Sequence, residues 1–156
     1  MKRQKPEIGA LFTVPLPDNR GVVAQVVGRE ADALNSWTCA FSSVVVNPEK
    51  PEFKGSLTPN DVISVLFTSG DLLKNGTWRI FSSAPVIIDK SDFPNEEFRR
   101  NRWIGAKIYG SQIVNSFIAA YFGQGLWDEM KDPDYYRKLL LTRIAIPYGI
   151  KKKNGG

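Results

Sequence analysis

Two apolar, β-branched runs joined by a short polar turn open the chain, and they constrain its fold more than any other feature. Gly9 to Leu16 has strand character, Pro17-Asp18-Asn19 carries turn chemistry, and Val22 to Val27 is a second strand, so residues 9–28 are predicted to form a β-hairpin. Ser36 to Val46 continues the β pattern. Pro48, Pro51, Gly55 and Pro59 make 47–60 a connection, and Asp61 to Thr68 returns to strand character. Ser69 to Gly76 fits one helical turn closed by its glycine. Thr77 to Ile88 is expected to be a strand pair or one long bent strand, with Pro85 marking an edge or a bulge.

The periodicity then changes. From Ser111, a helix-capping residue type, apolar side chains fall at Ile113, Val114, Phe117, Ile118, Tyr121 and Phe122, a one-sided helical stripe that Gly123 can end. A second helix is predicted over Pro133 to Leu141 with Asp132 as its cap, and a last strand over Thr142 to Tyr148. The expected fold is α+β. A strongly bent antiparallel sheet or small half-barrel comes from the N-terminal two-thirds, and helices near the C-terminus pack on it. With 156 residues the chain suits one domain, placed at 6–150.

Charge is distributed unevenly. The formal net charge is +5, but Lys2, Arg3, Lys5, Lys151, Lys152 and Lys153 lie at the two ends. Between Pro6 and Ile150 there remain 15 basic and 16 acidic residues, a net charge of −1. Residues 1–5 and 151–156 are therefore expected to be flexible basic tails on a neutral body. No apolar stretch is long enough for a membrane span, and no apolar h-region follows the N-terminal charges. Cys39 is the only cysteine, which excludes an intrachain disulfide and fits a reducing compartment. The expected location is the cytoplasm.

The chain has no histidine. Cys-His and Ser-His pairs are thus excluded, and a structural zinc site lacks the ligands it needs. Neither a phosphate loop nor a dinucleotide fingerprint is present. Cys39 lies in a strand pattern without a basic neighbour and is expected to be a buried thiol. No catalytic, cofactor-binding or metal-binding residue is assigned. Two acidic groups remain, Asp89, Asp92, Glu96 and Glu97, and Asp128, Glu129, Asp132 and Asp134. Both fit solvated loops and helix caps; an acid-base pair as in glycosidases is the alternative. Arg99, Arg100, Arg102 and Trp103 fit a solvated loop with a core tryptophan, or a phosphate-binding patch. Trp78 is expected in the core. Trp127, beside Asp128 and Glu129, has the composition of a protein-interface anchor.

Two stretches carry a resemblance. Ile8 to Asp18 with Arg20 to Arg29, and Gly76-Thr-Trp-Arg-Ile80 followed by Pro85, Phe93-Pro94 and Phe98, resemble the two signatures of the bacterial immunity protein 26 family. Together they cover about two-thirds of the chain. It departs at Ser82-Ser83, where the family often has glycine, and its C-terminal helical stretches match no family motif. The resemblance implies an immunity protein of a polymorphic toxin system, which binds a cognate toxin, such as a basic nuclease, and blocks it without chemistry. Carboxylates at the contact would complement such a toxin. The candidate toxin-binding residues are Asp89, Asp92, Glu96, Glu97, Trp127, Asp128 and Glu129. The alternative is a small β-rich nucleic-acid-binding module that uses the basic tails and the 99–103 segment.

Overall fold

The computed structural model describes residues 2–30, 35–93 and 107–153. The fold is α+β, built on a six-stranded mixed sheet that does not close into a barrel. Strands β1 (Ala10–Pro15), β2 (Gly21–Glu30), β3 (Ser36–Val46) and β4 (Val62–Thr68) form an antiparallel meander. Helix α1 (Asp71–Asn75) ends at Gly76, whose φ of 88° is a left-handed cap. Strand β5 (Arg79–Ser83) then pairs with β1, and β6 (Ile108–Tyr109) adds to β4 in parallel. The resulting order is β5-β1-β2-β3-β4-β6. Helix α2 (Ser111–Tyr121) follows β6.

The opening hairpin forms as its sequence predicts, with Phe12 opposite Ala24 and Val14 opposite Val22. Asn19 supplies the turn with a φ of 72°, a conformation that asparagine tolerates better than most residues. Gly21 to Val27 is buried without alternation because both faces of the sheet are covered. On one face, Phe12, Ala24, Val26, Cys39 and Phe41 meet Trp78, the stripe of α2, and Trp127, Tyr136, Leu139 and Leu140. On the other, Leu11, Val23, Val27, Ala40 and Val65 pack against Leu57 from the 47–60 connection and Ile88 from the segment after β5. The first core centres on Trp78, stacked on Phe12 at 5.3 Å with Phe41 edge-on at 5.7 Å. Each such pair contributes about 0.5–1.5 kcal/mol beyond its buried area. Burial also keeps the Cys39 thiol protonated, pushing its pKa far above the ordinary value.

Four expectations are corrected. Thr77 to Ile88 holds one five-residue edge strand, not a pair or a long strand. Gly110, not Ser111, is the N-cap residue of α2. The helix expected over Pro133 to Leu141 is reduced to a 3-10 turn at Arg137–Leu139. Its start is present, since Asp132 accepts from the Asp134 amide at 2.9 Å. Strand β4 then captures its end. Ser64 donates to the Leu139 carbonyl at 2.5 Å, and the Leu141 amide donates to Ile63 at 2.8 Å, so those groups are withdrawn from helical pairing. Thr142 to Tyr148 is not a strand, because β5 and β6 already occupy the sheet edges.

Both basic ends touch the body. Gln4 donates from its amide to the Lys74 carbonyl at 2.9 Å, and from Nε2 to Leu73 and Trp78 at 2.7 and 2.8 Å. Its Oε1 accepts from the Ile80 amide at 2.8 Å. At the other end, the Trp127 amide donates to Lys151 at 2.7 Å and the Lys153 amide to Asp128 at 3.0 Å. Among the described residues no helix is long and apolar enough to cross a membrane.

Candidate functional site

Helix α2 is fixed at both ends. At its start the Ser111 hydroxyl donates to Asp71 Oδ1 at 2.5 Å, Ser69 donates to the same oxygen at 2.7 Å, and the Ser111 amide donates to Ser69 Oγ at 3.0 Å. The hydroxyls of Ser111 and Ser69 hold the Asp71 carboxyl below its usual pKa. One turn on, Trp78 Nε1 donates to Asn115 Oδ1 at 2.7 Å, which ties the helix to the buried indole. At its end the chain turns through Gly123, with a φ of 76° and no room for a Cβ beside the Gly149 carbonyl.

An open cleft of about 420 Å³ lies between the β1–β2 turn and the C-terminal half of α2. Pro15 and Pro17 form one side, Ser116 and Ala119 the other, and Gln124 and Glu129 border it. Gln124 is held in place by Asp18, accepting from its amide at 3.0 Å and donating to its carboxylate at 3.1 Å. Glu129 is exposed, yet its Oε1 accepts a hydrogen bond from the Tyr136 hydroxyl. The Tyr136 ring is buried against Phe117 at 5.6 Å and Trp127 at 5.8 Å. Burial first, then the hydrogen bond to Glu129 and its charge, push the phenol well above its usual pKa, so it stays a donor. Among the described residues no cation pairs with Glu129. The cleft therefore presents a positioned carboxylate, unpaired among the described residues, beside an apolar proline wall.

The sequence candidates separate on the structure. Asp89 is exposed and caps the 3-10 turn Lys90–Asp92, accepting from the Ser91 amide at 2.9 Å, which lowers its pKa. Asp92 is paired with Arg143 at 2.8 Å, and Arg143 also donates to the Pro59 carbonyl at 3.1 Å. With its side chain only 11% exposed, Asp92 ties the segment after β5 to the chain near the C-terminus. Glu96, Glu97 and the Arg99–Trp103 segment lie outside the described residues. Asp128 is half-buried and holds the Lys153 amide.

Trp127 is 3% exposed and packs on Phe117 and Tyr136, so its ring belongs to the core and is not among the residues that line the cleft. Asp89 and Asp92 follow Ile88 on one face of the sheet, while Trp127 and Tyr136 belong to the other. Among the described residues Glu129 is the acidic side chain that lines the cleft. Asn115, Ser116 and Gln124 were not legible as site residues because nothing in a helical stripe marks which polar flank faces a groove. Among the described residues no cluster of three or more His, Cys, Asp or Glu could hold a metal ion. Comparison with family models, with characterised proteins and with solved structures finds no match for this chain.

Proposed function

We propose that this chain is a cytoplasmic immunity protein, a single-domain inhibitor that binds a cognate toxin one-to-one and blocks it without catalysis. The observation that carries the reading is the Glu129 carboxylate, fixed by Tyr136 at the edge of the proline-walled cleft and unpaired among the described residues. A preformed carboxylate loses little conformational freedom on binding, so a lysine or arginine of a basic toxin gains most of the electrostatic contact. The similarity of the opening hairpin and of the Trp78 strand to immunity proteins supports the same reading.

The test asks first for a toxin domain encoded beside this gene and then co-expresses the two, read by growth and by isolation of the complex. Restored growth with an unmodified toxin in a one-to-one complex is expected. Growth arrest with no complex would overturn the proposal. Glu129→Lys reverses the charge at the cleft and is expected to weaken the complex by about 2 kcal/mol or more, while Asp92→Asn leaves binding within threefold. Unchanged binding by Glu129→Lys would remove the cleft from the interface and leave the partner assignment standing.

A further inference from the structure

The N-terminal cations are not a free tail. Lys2, Arg3 and Lys5 are exposed on either side of half-buried Gln4, whose four hydrogen bonds hold this segment against α1 and β5. Gly76 makes the seat possible, because a Cβ there would lie 2.5 Å from the Lys2 carbonyl oxygen. The exposed side chains of Lys74 and Arg79 flank the same segment. Two adjoining hollows result. One, of about 450 Å³, is lined by Lys2, Arg3, Gln4 and Arg79; the other, of about 400 Å³, by Arg3, Gln4, Lys5 and Lys74. Arg3 is common to both. Glu49 meets Arg79 only at 3.9 Å between exposed groups, and Glu7 stands just beyond the segment. Five cations therefore line this edge, and the carboxylates nearest to them in the chain or by contact are Glu7, Glu49 and, on α1, Asp71.

We propose that this edge is a binding site for the phosphate backbone of nucleic acid, whose phosphates run along the two hollows and meet the five cations. The site is independent of the toxin-binding cleft. Among the described residues no aromatic side chain lines either hollow, so the contact is to the backbone and is indifferent to sequence. Five cations along one edge complement the dense charge of a phosphodiester chain, about one phosphate per 1.7 Å of duplex axis. The structural contribution comes from Gln4, which keeps three of the five cations in place.

The experiment uses the full chain and a labelled duplex of about 20 base pairs of arbitrary sequence, titrated over a range of salt. Five phosphate contacts give a log–log salt slope of about −4.5, and the triple variant Lys2→Gln, Arg3→Gln, Lys5→Gln makes it shallower by about 2.7. Gln4→Ala keeps every charge but frees the segment, and is expected to weaken binding about tenfold through the ordering that binding must then impose. Should Gln4→Ala fail to fold, the pair Lys74→Gln, Arg79→Gln takes its place, with a slope shallower by about 1.8. Absence of duplex binding at low salt would overturn the proposal. So would tighter binding of polyglutamate or of phosphatidylglycerol vesicles, which would reassign the edge to an acidic protein or a membrane. Unaltered affinity in Gln4→Ala, with its fold confirmed by circular dichroism, would refute the built site.

Discussion

Replacing Trp127 by alanine separates a core residue from an interface anchor. The side chain is 3% exposed, with ring centroids 6.2 Å from Phe117 and 5.8 Å from Tyr136. A buried tryptophan removes about 150–250 Å² from water, worth about 4–6 kcal/mol at 25 cal/mol per Å². Relaxation around the cavity recovers part of this, so a loss of about 4 kcal/mol is expected. The backbone bond from Trp127 to Lys151 survives the substitution. Urea unfolding followed by far-UV circular dichroism measures the loss without depending on the tryptophan signal. With a slope of about 2 kcal/mol per molar urea, the midpoint falls by about 2 M. A fall of less than about 0.5 M, about 1 kcal/mol on the same slope, would show that the ring is not part of the core. Loss of partner binding at unchanged stability would restore it as a contact.

Two further outcomes follow from buried ionisable groups. The Tyr136 phenol has a folded pKa raised above its ordinary 10.0, so its contribution is complete below that value and is lost as pH rises through the folded pKa. Stability should therefore decline above about pH 10, and Tyr136→Phe should flatten that decline; an equally steep decline in the variant would contradict the assignment. Cys39 is fully buried and its thiol is held protonated. A thiol reagent should label it only at the rate of unfolding, and stoichiometric labelling within minutes under native conditions would contradict the burial.

Local chemistry made much of the fold legible. The β-branched runs around Pro17-Asp18-Asn19, the glycine after Asn75 and the stripe from Val114 to Phe122 each act within a few residues. Their outcomes follow from turn, cap and periodicity rules. Failure came where a distant partner decided. Pro133 to Leu141 has the cap and composition of a helix, yet Ser64 and Ile63 take its last backbone groups. Ile108-Tyr109 is too short to announce a strand and exists because β4 offers an open edge. In the candidate site, the acidic residues of the 128–134 run look alike in sequence. Only Glu129 is placed at the cleft, because Tyr136 reaches it from the core.

The opening hairpin, the burial of Cys39 and the lack of histidine chemistry were thus determined by residue types and their spacing alone. Which charges are available was decided by tertiary structure. Asp92 is committed to Arg143, Glu129 is held at the cleft by Tyr136, and Lys2, Arg3 and Lys5 are carried to the sheet edge by Gln4. The physical reason is that a charge acts through its distance to other charges and its access to water. Both are set by contacts between residues as far apart in sequence as Gln4 and Ile80.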